Sequence, residues 1–164
     1  MSIIQRASAA DIPTIRELAH CIWWAHYPEI ITPEQVEYML GLLYSEAALN
    51  RQLQQDGHQF WLVYADEGIP VGFLSVGNVS EGAYFLHKFY LEAATQGKGL
   101  GAAVFDQLQI EYPDMHTLRL NVNRQNFKSI NFYFKLGFRI EKCVDIPIGQ
   151  GFVMDDFQML WRKK

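Results

Sequence analysis

The chain predicts a mixed α/β (α+β) domain whose central sheet is largely antiparallel, has about seven strands and is flanked by helices. Three observations predict it. Apolar residues recur at helical spacing through the first third, and the pattern changes to short β-rich runs from Phe60 onward. Two of those runs flank the turn-rich Asp66-Glu67-Gly68-Ile69-Pro70, which reads as a hairpin. Gln96-Gly97-Lys98-Gly99-Leu100-Gly101 then joins a strand-like run to a helix-like run. The 164 residues, 49% hydrophobic and 20% charged, suit one globular domain spanning residues 1–164.

The elements follow in order. Ile3 to Ala7 reads as a first strand, and Ser8-Ala9-Ala10-Asp11 as a capping box. Ile12, Ile15, Ala19, Ile22 and Trp23 then fall on one helix face. Thr32-Pro33-Glu34-Gln35 is a second helix start, with threonine at the cap and proline at the first helical position. Val36, Met39, Leu40 and Leu43 continue its apolar face, and Ser45 caps a third helix with Leu49 and Leu53 inward. Phe60 to Ala65, Val71 to Val76 and Ala83 to Leu91 are three strands. Leu100, Val104 and Leu108 form a helical stripe that ends near Pro113, and Thr117 to Val122 is the next strand. Asn126 opens a helix whose Phe127, Ile130 and Phe134 share a face, and Gly137 stops it. Phe138 to Ile146 and Phe152 to Trp161 are the last two strands.

Composition excludes several classes. The net charge is −4 and no basic block occurs, which argues against a nucleic-acid partner. No apolar run is long enough to span a membrane. Cys21 and Cys143 lack metal-ligand spacing, no signal-peptide pattern is present, and a cytoplasmic protein without a metal is expected.

The glycine-rich stretch carries the chemistry. The first N–H groups of a helix have no internal partner and sit at the positive end of its dipole, and glycines let that backbone approach a phosphate. Three ligands compete. A Walker loop needs Ser or Thr after Lys98, where Gly99 stands. A dinucleotide fingerprint needs Gly-x-Gly-x-x-Gly, where Gly97, Gly99 and Gly101 give Gly-x-Gly-x-Gly, and its acid some twenty residues on has only Asp114 nearby.

The third reading rests on two motifs. Gln96 to Gly101 fits Gln/Arg-x-x-Gly-x-Gly/Ala, and Asn126-Phe127-Lys128-Ser129-Ile130-Asn131-Phe132-Tyr133-Phe134-Lys135-Leu136-Gly137-Phe138 fits Asn-x-x-Ala-x-x-x-Tyr-x-x-x-Gly-Phe, with serine for alanine at 129. In both, and in the order of elements over nearly its whole length, the chain resembles the GCN5-related N-acetyltransferases (GNAT family). The resemblance implies the acyl-CoA N-acyltransferase fold, acetyl-CoA as cosubstrate, and transfer of acetyl to a primary amine by direct attack. The acceptor would be a small molecule or polyamine, or an amine of a peptide or protein.

It also implies roles for particular residues. The pyrophosphate of coenzyme A would rest on the N–H groups of Gly97, Lys98, Gly99, Leu100 and Gly101, with Gln96 opening the loop. The strand before the turn would pair with the pantetheine arm at Phe89 and Leu91, and an N–H near Phe89 would stabilise the oxyanion. Asn126 would bind the same arm, and as a helix N-cap it has a purely structural role as well. Tyr133 would face the coenzyme sulfur. A tyrosine pKa near 10 against a thiol near 8.5 makes complete proton transfer to sulfur uphill by about 2 kcal/mol, which favours a hydrogen bond to the developing thiolate.

The family has no single base position. His87 is the first candidate, on the side of Phe89 and Leu91 if the strand alternates strictly; a bulge would flip it. Glu37 and Glu92 are weaker candidates. Trp23, Trp24, His26, Tyr27, Tyr38 and Tyr84 are candidates for an acceptor wall, although most helical aromatics are core. The segment Trp23 to Met39 resembles that of bacterial members acting on small amines, including polyamines. Strand edges near the C-terminus leave room for a homodimer. A non-catalytic acyl-CoA sensor on the same fold is the competing functional class, and a nucleotide-binding protein is a third.

Overall fold

The computed structural model describes residues 3–66 and 68–164. Glu67, in the hairpin turn read from the sequence, lies outside them. Seven strands, β1 (Ile4–Arg6), β2 (His58–Tyr64), β3 (Pro70–Ser80), β4 (Ala83–Leu91), β5 (Thr117–Asn123), β6 (Arg139–Gly149) and β7 (Phe152–Arg162), form one sheet in the order β1-β2-β3-β4-β5-β7-β6. The β4–β5 pair is parallel, whereas β1–β2, β2–β3, β5–β7 and β6–β7 are antiparallel. Five α-helices flank it: α1 (Ile12–His26), α2 (Pro33–Tyr44), α3 (Glu46–Gln54), α4 (Leu100–Glu111) and α5 (Phe127–Leu136). This is the expected order of elements, with β3 and β6 a few residues longer than their apolar runs. The chain divides into two compact units, Met1–Gly77 with His87–Pro113, and Asn78–Leu86 with Asp114–Lys164.

In the first unit the helix starts are those the sequence encodes. Ser8 and Asp11 close a reciprocal capping box over a short 3₁₀ turn before α1. Thr32 and Ser45 accept from the N–H groups of Gln35 and Ala48 at the starts of α2 and α3. Each cap is worth about 1 kcal/mol. Ile12, Ile15, Ala19, Ile22 and Trp23 are buried together with Leu18. On α2 the buried set is Val36, Met39, Leu40 and Tyr44, with Leu43 only half-buried. These helices pack on one face of β2 and β3: the Tyr44 ring stands edge-on to Phe73 at 5.8 Å.

That face also shows where β4 departs from strict alternation. His58 and Phe60 share a face, two residues apart on β2, opposite Gly77 and Ser75 of β3. The His87 ring stacks on His58 at 3.8 Å, and a Cβ added at Gly77 would come within 2.7 Å of the His87 Nε2. The next residue, Lys88, places its Nζ 5.5 Å from the Phe60 ring centroid and 5.4 Å from that of Tyr44. Two consecutive side chains therefore reach one face, as happens at a bulge. Regular alternation resumes beyond it, since the Tyr90 ring meets Phe73 and Leu91 lies against Gly72, one residue out of phase with Phe73.

Lys88 is buried, and its Nζ donates to Gln52 Oε1 at 2.8 Å, while Gln52 Nε2 donates to the Leu43 carbonyl. Burial lowers its pKa to about 8, with distant Asp56 opposing. A base whose folded pKa lies below its unfolded value carries its full penalty below the folded pKa, and the penalty disappears as pH rises toward the unfolded value. The unfolding free energy of the wild type minus that of Lys88→Met is therefore expected to grow by about 3 kcal/mol between pH 7 and pH 10.5. Urea unfolding of both proteins at several pH values checks this, and a difference independent of pH contradicts it.

In the second unit β5 lies between the start of β4 and β7. Leu118, Leu120, Val122, Met159 and Trp161 fill the face that receives Ile130, Tyr133 and Phe138. The sequence places Phe127, Ile130 and Phe134 on one face of α5. Phe127 is 63% and Phe134 39% exposed, and Tyr133 is buried with Ile130. Tyr133 and Ile130 are three apart and define the inner stripe, which leaves Phe127 and Phe134 on its flanks.

Candidate active site

The glycine turn is built by backbone conformation. After β4, Glu92 opens a single 3₁₀ turn over Ala93–Thr95, and the Thr95 hydroxyl donates to the Glu92 carbonyl at 2.7 Å. The Gln96 side-chain amide donates back to the Leu91 carbonyl at 3.2 Å, tying the loop to the strand end. Gly97 and Gly99 have φ of 78° and 80°, the left-handed region. A Cβ at either would meet nothing within 4 Å, so the requirement is conformational and the space above the loop is open. Gly99 is the N-cap of α4 and offers no side-chain acceptor, so the first amides of α4 point out uncapped. With exposed Lys98 beside them, these groups fit a pyrophosphate.

The second motif lies in the other unit. Asn126 is buried, and its Oδ1 accepts from Ser129 N at 3.3 Å, capping α5. Gly137 ends the helix at φ 102°, and Phe138 N donates to the Tyr133 carbonyl at 3.0 Å. The Tyr133 ring, 8% exposed, is held by Phe132 and Phe138 at centroid distances of 5.3 and 5.4 Å. Its orientation is thus fixed by packing.

His87 corrects the expectation for the base. The break in alternation turns it to the face of His58 and Lys88, away from that of Leu91. Burial of the ring's inner edge, then His58, then Lys88 hold its pKa well below the ordinary histidine value, although its outer edge is exposed. Burial and Lys88 lower His58 as well. Both rings are therefore neutral at pH 7. Glu37 is exposed on α2, and Glu92 N donates to the Val71 carbonyl beside the turn.

Of the aromatic residues considered for an acceptor wall, Trp23 and Tyr27 come together, with ring centroids 4.4 Å apart and His26 against Tyr27 at 5.0 Å. The group is completed by Tyr90, which the sequence reading missed: its ring lies 5.7 Å from Trp23, and its hydroxyl is 3.2 Å from that of Tyr27. Its signal was the spacing of two from Lys88. Trp24 is 42% exposed, and Tyr84, in the other unit, donates to the Asp114 carboxylate at 2.9 Å. Among the described residues no group of three or more His, Cys, Asp or Glu is arranged to hold a metal ion, and no helix is long and apolar enough to cross a membrane.

The order of strands and helices is that of the acyl-CoA N-acyltransferase fold. Residues 29–145 match the model of the acetyltransferase (GNAT) domain, and the chain belongs to this family. It is an N-acetyltransferase that uses acetyl-CoA. The chain is 28% identical to a spermidine N(1)-acetyltransferase of Thermoplasma acidophilum over 94% of this chain and 97% of that protein. It is 29% identical to the peptidyl-lysine N-acetyltransferase YiaC of Escherichia coli over 86% of each. The crystal structure of the PaiA N-acetyltransferase from Thermoplasma acidophilum in complex with coenzyme A superposes with a TM-score of 0.79 at 26% identity, covering 99% of this chain and 100% of that one.

Because Gly99 sits in the left-handed region with open space above it, Gly99→Ala is expected to lower stability by about 1–2 kcal/mol through backbone strain alone. Thermal unfolding checks this, and an unchanged Tm contradicts it.

Proposed function

We propose that the acceptor is a small polycationic amine of the polyamine class, acetylated in the cytosol. The observation that carries this reading is the end-to-end similarity to a spermidine N(1)-acetyltransferase. Two features support it. The net charge of −4 favours a cation. Half-buried Tyr27 and Tyr90, whose hydroxyls lie 3.2 Å apart, supply π-faces and hydroxyls suited to an ammonium. The free cysteines Cys21 and Cys143 suit a reducing compartment.

In this reading the N–H groups of Gly97, Lys98, Gly99, Leu100 and Gly101 receive the donor's pyrophosphate, and Phe89, Leu91 and Asn126 hold its pantetheine arm. The neutral amine attacks the thioester carbonyl, forming the C–N bond. A backbone N–H near Phe89 stabilises the oxyanion. Collapse breaks the C–S bond, and the Tyr133 hydroxyl donates a hydrogen bond to the leaving thiolate, which takes up the proton released by the amine. Freeing an alkylamine of its proton at pH 7 costs roughly 4–5 kcal/mol. His87 is a poor acceptor for that proton, because its lowered pKa widens the gap to the ammonium, and the reading routes the proton through water instead.

A peptidyl lysine is the second reading, favoured by the similarity to YiaC. Thiol release from acetyl-CoA with spermidine, spermine, a lysine-containing peptide and an N-terminal peptide separates the two. Polyamines are expected to give kcat/KM at least tenfold above either peptide, and the reverse order rejects the proposal. Tyr133→Phe is expected to lower kcat at least tenfold with the acetyl-CoA dissociation constant within twofold. Unchanged single-turnover rates would remove Tyr133 from the reaction.

A further inference from the structure

The first unit holds a buried cation that none of the roles above uses. Lys88 of β4 is 7% exposed, and its Nζ donates to Gln52 of α3, whose amide in turn donates to the Leu43 carbonyl of α2. Among the described residues no Asp or Glu lies within ion-pair distance of Nζ. The carboxylate of Asp56, beyond the end of α3, acts on it only from further away.

The groups packed around this ammonium are neutral on every side. On β3, Val71 accepts from Glu92 N, and Phe73 meets the Tyr90 ring. Two residues further toward the β3–β4 turn, the same alignment sets Lys88 opposite Ser75, which stands opposite Phe60 of β2. Ser75 is fully buried, and its Oγ has no hydrogen-bond partner among the described residues. The rings of Phe60 and of Tyr44 on α2 lie 5.5 and 5.4 Å from Nζ. Burial pushes the Tyr44 pKa up, and it pushes those of His58 on β2 and His87 on β4 down, so all three are uncharged at pH 7.

A buried charge without a counter-charge costs stability, and aromatic faces recover only part of that cost. The same lack of a counter-charge leaves its field weakly screened. Lys88 immediately precedes Phe89, so one peptide unit separates the lysine from the N–H that stabilises the oxyanion in the reading above. Negative charge forming there lies roughly 8–10 Å from Nζ. At an effective dielectric constant of about 20, that attraction corresponds to a rate factor of about ten- to thirtyfold.

We propose that the Lys88 ammonium favours acyl transfer from behind the strand, acting through the Phe89 amide as a positioning residue for the oxyanion and touching neither substrate. The proposal rests on the donor reading, in which the thioester lies along β4 beside Phe89. It holds for any acceptor amine.

Lys88→Met, which keeps the reach of the side chain and removes its charge, tests it. Single-turnover acetyl transfer is measured for both proteins from pH 7 to pH 10, with the fastest amine of the four-acceptor panel. The ratio of wild type to variant cancels the ionisation of the acceptor. Burial brings the Lys88 pKa to about 8, so the ammonium is present at pH 7 and lost by pH 10. The ratio is expected to be at least tenfold at pH 7 and below threefold at pH 10. A ratio that does not change with pH overturns the proposal, because a packing role for Lys88 survives loss of its proton. The Phe89 amide shift on adding acetyl-CoA separates the two levels. If it does not move, the donor reading fails and takes the proposal with it; if it moves while the ratio stays constant, the proposal alone fails. Should the variant not fold, the wild type decides: the carbonyl ¹³C shift of bound, carbonyl-labelled acetonyl-CoA is expected to titrate near pH 8, and a constant shift overturns the proposal.

Discussion

The donor site proposed for this protein depends on a short stretch of left-handed backbone. Gly97 and Gly99, at φ near 80°, let the chain turn from the 3₁₀ turn after β4 into α4 without a side chain over the loop. L-residues with a Cβ strain at such angles. The same geometry leaves the α4 N-terminus with no side-chain cap. Thr32, Ser45 and Asn126 cap α2, α3 and α5, and Ser8 caps the 3₁₀ turn before α1. Gln96, bonded back to Leu91, holds the start of α4 at the end of the strand.

The strand itself is the second constraint. Where β4 breaks its alternation, His87 and Lys88 reach the same face, and a neutral histidine pair comes to lie beside a buried lysine. Burial, with Lys88 adding to it, lowers the basicity of both imidazoles. His87, the base the sequence suggests first, is thereby made weakly basic.

Much of this was legible in the residues. Caps and Pro33 fix the helix starts through local hydrogen bonds, so α1, α2 and α3 could be read directly. The glycine turn was legible because only glycine suits its backbone. The inner face of α5 was not, because Phe127 and Phe134 are as apolar as the residues that pack, and only the tertiary contacts of Tyr133 with Phe138 decide which stripe goes in. The turn of His87 depends on how β4 registers on β3, which no local pattern encodes.

The central claim is that the glycine turn receives the donor's pyrophosphate. Amide chemical shifts of the protein titrated with coenzyme A test it most directly. The account predicts that Gly97, Lys98, Gly99, Leu100 and Gly101 show the largest shifts and saturate together with one affinity. Saturable binding that leaves those five amides unmoved would contradict it.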